Sequence, residues 1–425
     1  MKKILKVYLC LILFIGIHKS CGQHQPDQTI KDSLLVLKNG LIVSLNSKGS
    51  SIKKGIIVID KENIKDVIYT DNTPEFANAK IIDLKGRYVL PGLIDTHVHL
   101  ATAPKESRSE TQKEVEKTLL KMINSGITTV RDMAGNSIIL SDYARASKFN
   151  QIPAPSIFYT SKFGGAKYFN QIRKHTGALE AKSDTPWEQT ITDDTNITLA
   201  VARAKGAGAT GIKIYSSLSP KLIKSIVTEA NKQGIQTWSH SAVFPASPIQ
   251  VAEAKVNTMS HAWDMMYGLN TNDTITENDL ATEINSDKLE KLLLLMKKNG
   301  IILDATNYIS ENNSMHNGVK ITKQAHKLGL KVSVGTDWPY LYEPEIPFFK
   351  ELKLLIDKCG FTNEAALYSA TKIGAESIGL TDRGAIEKGK RADMIIVNKN
   401  PLDNLENLKD LHTTIKSGII YKKEN

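Results

Sequence analysis

Residues 89–100 read Val89-Leu90-Pro91-Gly92-Leu93-Ile94-Asp95-Thr96-His97-Val98-His99-Leu100. A glycine leads into a short apolar run, and two histidines stand at i and i+2 where that run ends. In an extended strand this spacing points both imidazoles to the same face. Comparable apolar runs recur downstream, most of them introduced by a glycine after a helical stretch. Gly126 precedes residues 127–130, Gly211 precedes 212–215, Gly234 precedes 235–238, Gly300 precedes 301–303 and Gly329 precedes 330–334. Glycine tolerates the left-handed backbone that ends a helix, so helix–glycine–strand is a mechanical signature. Together with residues 92–97, 156–160 and 256–261, the runs number eight. The stretches 221–232 and 288–298 between them have the periodicity of amphipathic helices. Eight strand–helix units predict an α/β fold, a closed parallel (β/α)8 TIM barrel over residues 90–383.

The flanks read differently. Residues 33–89 are strand-like, with turns at Lys38-Asn39-Gly40, Asp60-Lys61-Glu62-Asn63 and Lys85-Gly86. Residues 384–425 resume that style with Met394-Ile395-Ile396-Val397 and Ile415-Lys416-Ser417-Gly418-Ile419-Ile420. Each flank is short for a domain, and together they predict one small β-sandwich beside the barrel. The longest irregular stretch, 162–196, follows the third strand. A long loop at a barrel mouth is more often functional than idle.

The chain has 425 residues, 41% hydrophobic and 24% charged, the balance of a globular protein and not of a disordered chain, a fibre or a polytopic membrane protein. Three cysteines exclude a disulfide scaffold and an all-cysteine zinc site. The net charge is +10, but the lysines are scattered with few aromatics among them. A nucleic-acid footprint needs a basic stripe, so no nucleic-acid partner is expected and a small-molecule substrate is. Met1-Lys2-Lys3 opens an apolar run over 4–17 interrupted only by Lys6. The run is shorter than the ~20 residues of a spanning helix. Followed by Ser20-Cys21-Gly22, it predicts an export signal over 1–21 and a tether over 22–32. Cys21 is either the lipidated cysteine of a lipoprotein or a residue beside a simple cleavage site, since His18-Lys19-Ser20 is a poor lipobox. The expected location is outside the cytoplasm, periplasmic or anchored, with membrane contact only through a lipid on Cys21.

The polar residues at the strand ends carry the chemistry. His240 ends the fifth strand, His261 the sixth and Asp337 the eighth, and Lys213 lies in the fourth. Barrel active sites are built at these C-terminal ends. His97 and His99 are either a metal pair or a paired surface motif. Lys213 either runs along the wall with its amine in water or is buried and deprotonated. A protonated amine has no lone pair for a metal, whereas carbon dioxide converts a neutral one to an anionic carbamate able to bridge two cations. Tyr215, on the same strand face, either donates to a substrate oxyanion or stands at the rim with its hydroxyl in water. Arg131 either grips a substrate carboxylate or makes a local ion pair. Trp263 and Trp338 either wall a pocket or pack in loops, and Asn307 is expected to face the mouth. His175 belongs to the long loop. His24, His316 and His412 are expected on the surface, His326 on the surface or in the core. Cys359 is expected to be a buried, inert thiol.

The stretch 89–100 resembles the first-strand signature of the amidohydrolase superfamily. Gly126-Ile127-Thr128-Thr129-Val130-Arg131-Asp132 and Gly335-Thr336-Asp337 resemble its second and eighth strands. Gly384-x-Ile386-x-x-Gly389-x-x-Ala392-Asp393 resembles its return into the small β domain. The similarity covers residues 33–420 and is strongest to the imidazolonepropionase-like branch, which includes Xaa-Pro dipeptidases of the prolidase kind. The resemblance implies two divalent metal ions, usually zinc. His97 and His99 would hold the more buried one with Asp337, and His240 and His261 the other. A carboxylated Lys213 would bridge the pair, a subtype distinct from the mononuclear deaminases. The expected reaction is hydrolysis of an amide or peptide bond in dipeptides or N-acyl amino acids. A hydroxide between the metals would attack, with Asp337 as the proton carrier and Tyr215 as a catalytic candidate. A lactonase or esterase using the same site and a non-catalytic surface binding lipoprotein are the alternatives. Two loops depart from the family pattern. Phe163-Gly164-Gly165-Ala166-Lys167 lacks the histidine of a Gly-Gly-His stretch, and Ser241-Ala242-Val243-Phe244-Pro245 lacks the His-Ala-x-Gly form.

Overall fold

The first apolar run forms the strand Leu93–Val98, and seven more follow it in parallel. They are Ile127–Asp132, Ser156–Gly164, Gly211–Ile214, Gln236–His240, Thr258–Ser260, Ile302–Asp304 and Val332–Ser333. Each pairs with the next in chain order. The ring closes between the eighth strand and the first. Thr96 N–H donates to Val334 O at 2.9 Å, Asp337 N–H to His97 O at 2.8 Å and His99 N–H to Trp338 O at 3.0 Å. The computed structural model describes residues 34–70, 74–102, 107–176, 184–269, 284–312, 317–339 and 345–422. The expected export signal and tether, Cys21, His24, His316 and the His175 side chain lie outside the described residues. Among the described residues no helix is long and apolar enough to cross a membrane.

The helix Pro220–Gln233 illustrates why these segments fold as they do. Ser219 caps its first turn, Pro220 occupies the position whose N–H needs no partner, and Gly234 ends it in left-handed backbone at φ +69°. Ile223, Ile226, Val227 and Ala230 form its buried stripe at helical spacing.

The two flanks build one mixed sheet of eight strands. Met394–Val397 pairs antiparallel with Tyr88–Pro91, which joins the ends of the chain. The long strand Leu34–Asn46 shifts register against Gly49–Asp60 between Leu37 and Gly40, and along its opposite edge its partner changes from Ala79–Asp83 to Tyr88–Pro91. Residues from both halves, Leu35, Leu37, Val89, Met394 and Ile396 among them, fill one buried cluster. The expected composite is therefore a continuous sheet around its own core, not two separate sheets. Its Tyr88–Pro91 strand feeds directly into the first barrel strand, and Gly92 N–H donates to Asp393 O at 3.0 Å. The sheet thus fixes where the strand carrying His97 and His99 enters the barrel.

The described residues of the stretch 162–196 include regular elements that its composition does not suggest. The third strand extends to Gly164, a helix covers Ala166–Thr176, and a short hairpin joins Asp184–Thr185 to Glu188–Thr190. The hairpin adds Glu188–Thr190 alongside the third strand, where Glu188 forms an ion pair with the buried Lys162. Gly165 allows this packing, since a Cβ there would lie 1.9 Å from Ser217 O. The pairing spans more than twenty residues, so local sequence did not announce it.

Candidate metal centre

The structure brings His97, His99, His240, His261 and Asp337 together at the C-terminal mouth of the barrel. Ring centroids are 5.3 Å apart for His97 and His99, 4.8 Å for His97 and His261, and 4.5 Å for His240 and His261. Asp337 Oδ1 lies 2.7 Å from His99 Nε2 and 3.3 Å from His97 Nε2, and its Oδ2 lies 3.9 Å from His261 Nδ1. One candidate ligand atom from each of His97, His261 and Asp337 falls within 4.8 Å of the others. His97 lies in the first strand, and His99, just past its end, is held by its N–H bond to Trp338 O. His261 and Asp337 need left-handed backbone, at φ +66° and +59°, and Thr306 after the seventh strand has φ +49°. Such conformations cost a non-glycine residue about 1–3 kcal/mol each and collect where function over-determines the geometry.

Electrostatics suits a cation. Burial holds His97, His240 and His261 below the ordinary imidazole range, which keeps their ring nitrogens basic in form and free of charge. Burial alone would raise Asp337, but the facing His97, His99 and His261 outweigh it and hold the carboxyl well below its usual range. Imidazole nitrogens around an ionised carboxylate form the donor set that zinc and similar divalent ions take. His97 is also fixed in orientation. Its Nδ1 is 2.7 Å from Asp304 Oδ2, which turns Nε2 toward Asp337.

Lys213 is fully buried, and its Nζ donates to Ser260 Oγ at 2.7 Å. The reading of a lysine with its amine in water is therefore overturned. Burial lowers its pKa from 10.5 to about 7, so much of the amine is neutral at physiological pH. Tyr215 packs its ring 4.6 Å from His240 and 5.0 Å from Tyr168. Its hydroxyl is buried and donates to Met133 O at 3.2 Å, so it is not a rim tyrosine in water. His240 is the most open of the four histidines, its Nδ1 3.6 Å from Asp264 Oδ2. Asp264, pushed up to about 7 by burial, accepts from Ala242 N–H at 2.9 Å.

Other candidates fall elsewhere. Arg131 is fully buried and donates to Thr96 O, Ser377 O and Asp304 Oδ2 at 2.6, 2.9 and 3.1 Å. It makes an ion pair inside the barrel and does not reach a substrate carboxylate. Asn307 does not face the mouth. The backbone turn at Thr306 directs it inward, where it donates to Glu351 and accepts from Thr322. Trp338 is buried, and Trp263, half-buried, has its ring 6.3 Å from His261. His326 stacks on Phe361 at 3.7 Å, and His412 is exposed on the surface, as expected, beside Thr413. Cys359 is buried, with its thiol pushed up to about 12 by burial.

Sequence reasoning missed Asp304, Ser260, Asp264 and Tyr168. Asp304 ends its strand at the place where His97, His240 and His261 end theirs, which was a usable signal. Gly335 was a second one. A Cβ at that position would lie 2.3 Å from Asp304 Oδ1 and 2.7 Å from His97 Cβ, so only glycine lets the two pack.

Comparison with known proteins gives a consistent picture. A model described as the amidohydrolase family matches residues 88–420. A 5-methylthioadenosine/S-adenosylhomocysteine deaminase of Bacillus cereus (strain 03BB102) is 22% identical over 409 residues, 87% of this chain and 86% of that protein. Among solved structures, a Xaa-Pro dipeptidase with bound methionine in the active site superposes with a TM-score of 0.72 at 22% identity, covering 92% of this chain and 100% of that one. A prolidase complexed with N-methylphosphonate-L-proline gives 0.74 at 20%, with the same coverage. The ochratoxinase of A. niger gives 0.72 at 19%, covering 92% and 96%. At these identities the structural likeness establishes the fold.

Proposed function

This chain belongs to the amidohydrolase family, enzymes acting on carbon–nitrogen bonds, and from that premise we propose that it is a metal-dependent hydrolase of dipeptides or N-acyl amino acids. The observation that carries this reading is the buried Lys213 amine beside four histidines and Asp337. In this account His97, His99 and Asp337 would hold one divalent cation, zinc by the chemistry of the donors, and His240 and His261 would hold a second. Lys213 would serve as a further ligand once its neutral nitrogen has bonded to the carbon of carbon dioxide and shed a proton to solvent, which leaves an anionic carbamate. Bound there, such cations would supply a nucleophile usable near neutral pH and an electrophile for the scissile carbonyl.

The chain's own residues do the rest. Asp337, ionised and set among the imidazoles, takes up the proton released on attack and delivers it to the leaving nitrogen. Tyr215 holds His240 in place through its ring, and reaching a substrate oxyanion would require its hydroxyl to leave Met133 O. The named deaminase relatives favour a second reading, hydrolytic deamination. Lys213 weighs against it, because a bridging carbamate serves a two-cation site. Export, with or without a lipid on Cys21, is part of the proposal and rests on residues 1–22 alone.

The test is a panel of dipeptides, N-acyl amino acids, lactones and methylthio-nucleosides. The protein is supplied with zinc and bicarbonate, with and without chelator. Chelator-sensitive cleavage of the amides is expected. Turnover confined to lactones or nucleosides would replace the proposal with the corresponding alternative.

A further inference from the structure

Asp304 is fully buried at the end of the seventh strand and accepts four hydrogen bonds. Thr96 Oγ1 donates to its Oδ1 at 2.8 Å. His97 Nδ1, Ser260 Oγ and Arg131 Nη2 gather on its Oδ2 at 2.7, 2.9 and 3.1 Å. Arg131 is itself tied to Thr96 O and Ser377 O and lies 4.7 Å from the Trp238 ring, so the carboxylate is anchored from within the barrel.

Two of these partners connect to the candidate centre. An imidazole that donates through Nδ1 keeps its lone pair on Nε2, and His97 Nε2 is the atom that faces Asp337. Ser260 has one hydroxyl hydrogen, and it goes to Asp304. Toward Lys213 its oxygen can therefore only accept, and Lys213 Nζ is the donor at 2.7 Å. The amine is held by one of its N–H bonds, and its lone pair is left out of the contact.

We infer that Asp304 is the positioning residue of the centre, fixing the His97 tautomer directly and the Lys213 amine through Ser260. Its carboxylate is taken up by Thr96, His97, Ser260 and Arg131, and it acts through His97 and Ser260. The inference rests on the metal-dependent reading above, and nothing in the sequence motifs assigned Asp304 a role.

The test uses the full chain and the near-isosteric Asp304→Asn, with Ser260→Ala as the second variant because it interrupts only the Lys213 arm. Zinc affinity is measured by competition with a chromophoric chelator. Carbamate is read as a carbon-13 resonance after equilibration with labelled bicarbonate, and the His97 tautomer from nitrogen-15 shifts of the metal-free protein. Asp304→Asn is expected to weaken zinc binding about 10- to 100-fold, diminish the carbamate signal and shift His97 toward the other tautomer. Ser260→Ala is expected to diminish the carbamate signal and leave the tautomer unchanged. Wild-type zinc affinity, carbamate and tautomer in both variants would overturn the inference. If Asp304→Asn does not fold, an undiminished carbamate in Ser260→Ala overturns it. If the wild-type chain binds no zinc, the metal reading fails, and the tautomer comparison still decides the role of Asp304.

Discussion

Lys213→Met should make the metal-free protein more stable, and the gain should shrink as pH rises. The unfolded amine holds its proton up to pH 10.5, the folded one only up to about 7, because burial disfavours the charged form. Between those values the unfolded chain carries more protons, so stability rises with pH across the window. Below it the full penalty applies, about 5 kcal/mol at ~1.4 kcal/mol per pKa unit. At pH 7 the folded amine is half neutral and the penalty falls to about 4 kcal/mol, and at pH 9 to about 2 kcal/mol. Methionine has similar bulk and no charge to desolvate. Ser260 keeps its bond to Asp304 after the change, so no polar group is stranded. The assay is urea unfolding of chelator-treated wild type and variant at pH 7 and 9. A variant less stable than wild type, or a gain that does not change with pH, would refute the buried-amine argument. The same substitution should abolish the bridging group, so stability and function trade against each other at this residue.

Asp337→Asn should lower turnover by about 10²- to 10⁴-fold, the range for a proton carrier, while metal content falls far less. Full activity in that variant, measured beside its metal content, contradicts the role. Gly335→Ala places a Cβ 2.3 Å from Asp304 Oδ1, and should cost about 1–3 kcal/mol by overpacking and weaken zinc binding as well. Unchanged unfolding and zinc titrations would argue against the close packing. Glu188→Gln leaves the buried Lys162 ammonium without its counter-charge. A stability loss of about 3–5 kcal/mol in urea is expected, and a loss within experimental error would show that Lys162 finds another partner.

Much of the site was legible because strand geometry is local. The i, i+2 spacing of His97 and His99, the glycines that punctuate the strands and a lysine inside the apolar fourth strand all act over a few residues. What was hidden depends on residues far apart in the chain. Asp304 acquires its meaning from His97 and Arg131, which lie 207 and 173 residues away. Arg131 looked like a residue of the mouth because it ends an apolar run, yet three acceptors hold it within the barrel. Asn307 was misplaced because the positive φ at Thr306 redirects the chain just after the seventh strand. The hairpin after the third strand docks where Glu188 meets Lys162, a pairing between hairpin and strand that no periodicity encodes.

The count of bound metal tests the central claim most directly. Elemental analysis of the protein, purified without chelator and supplied with zinc and bicarbonate, should give about two metal ions per chain, falling when Lys213 becomes alanine. One ion per chain indifferent to Lys213 would contradict the bridged pair. No bound metal would contradict the metal-dependent hydrolase itself.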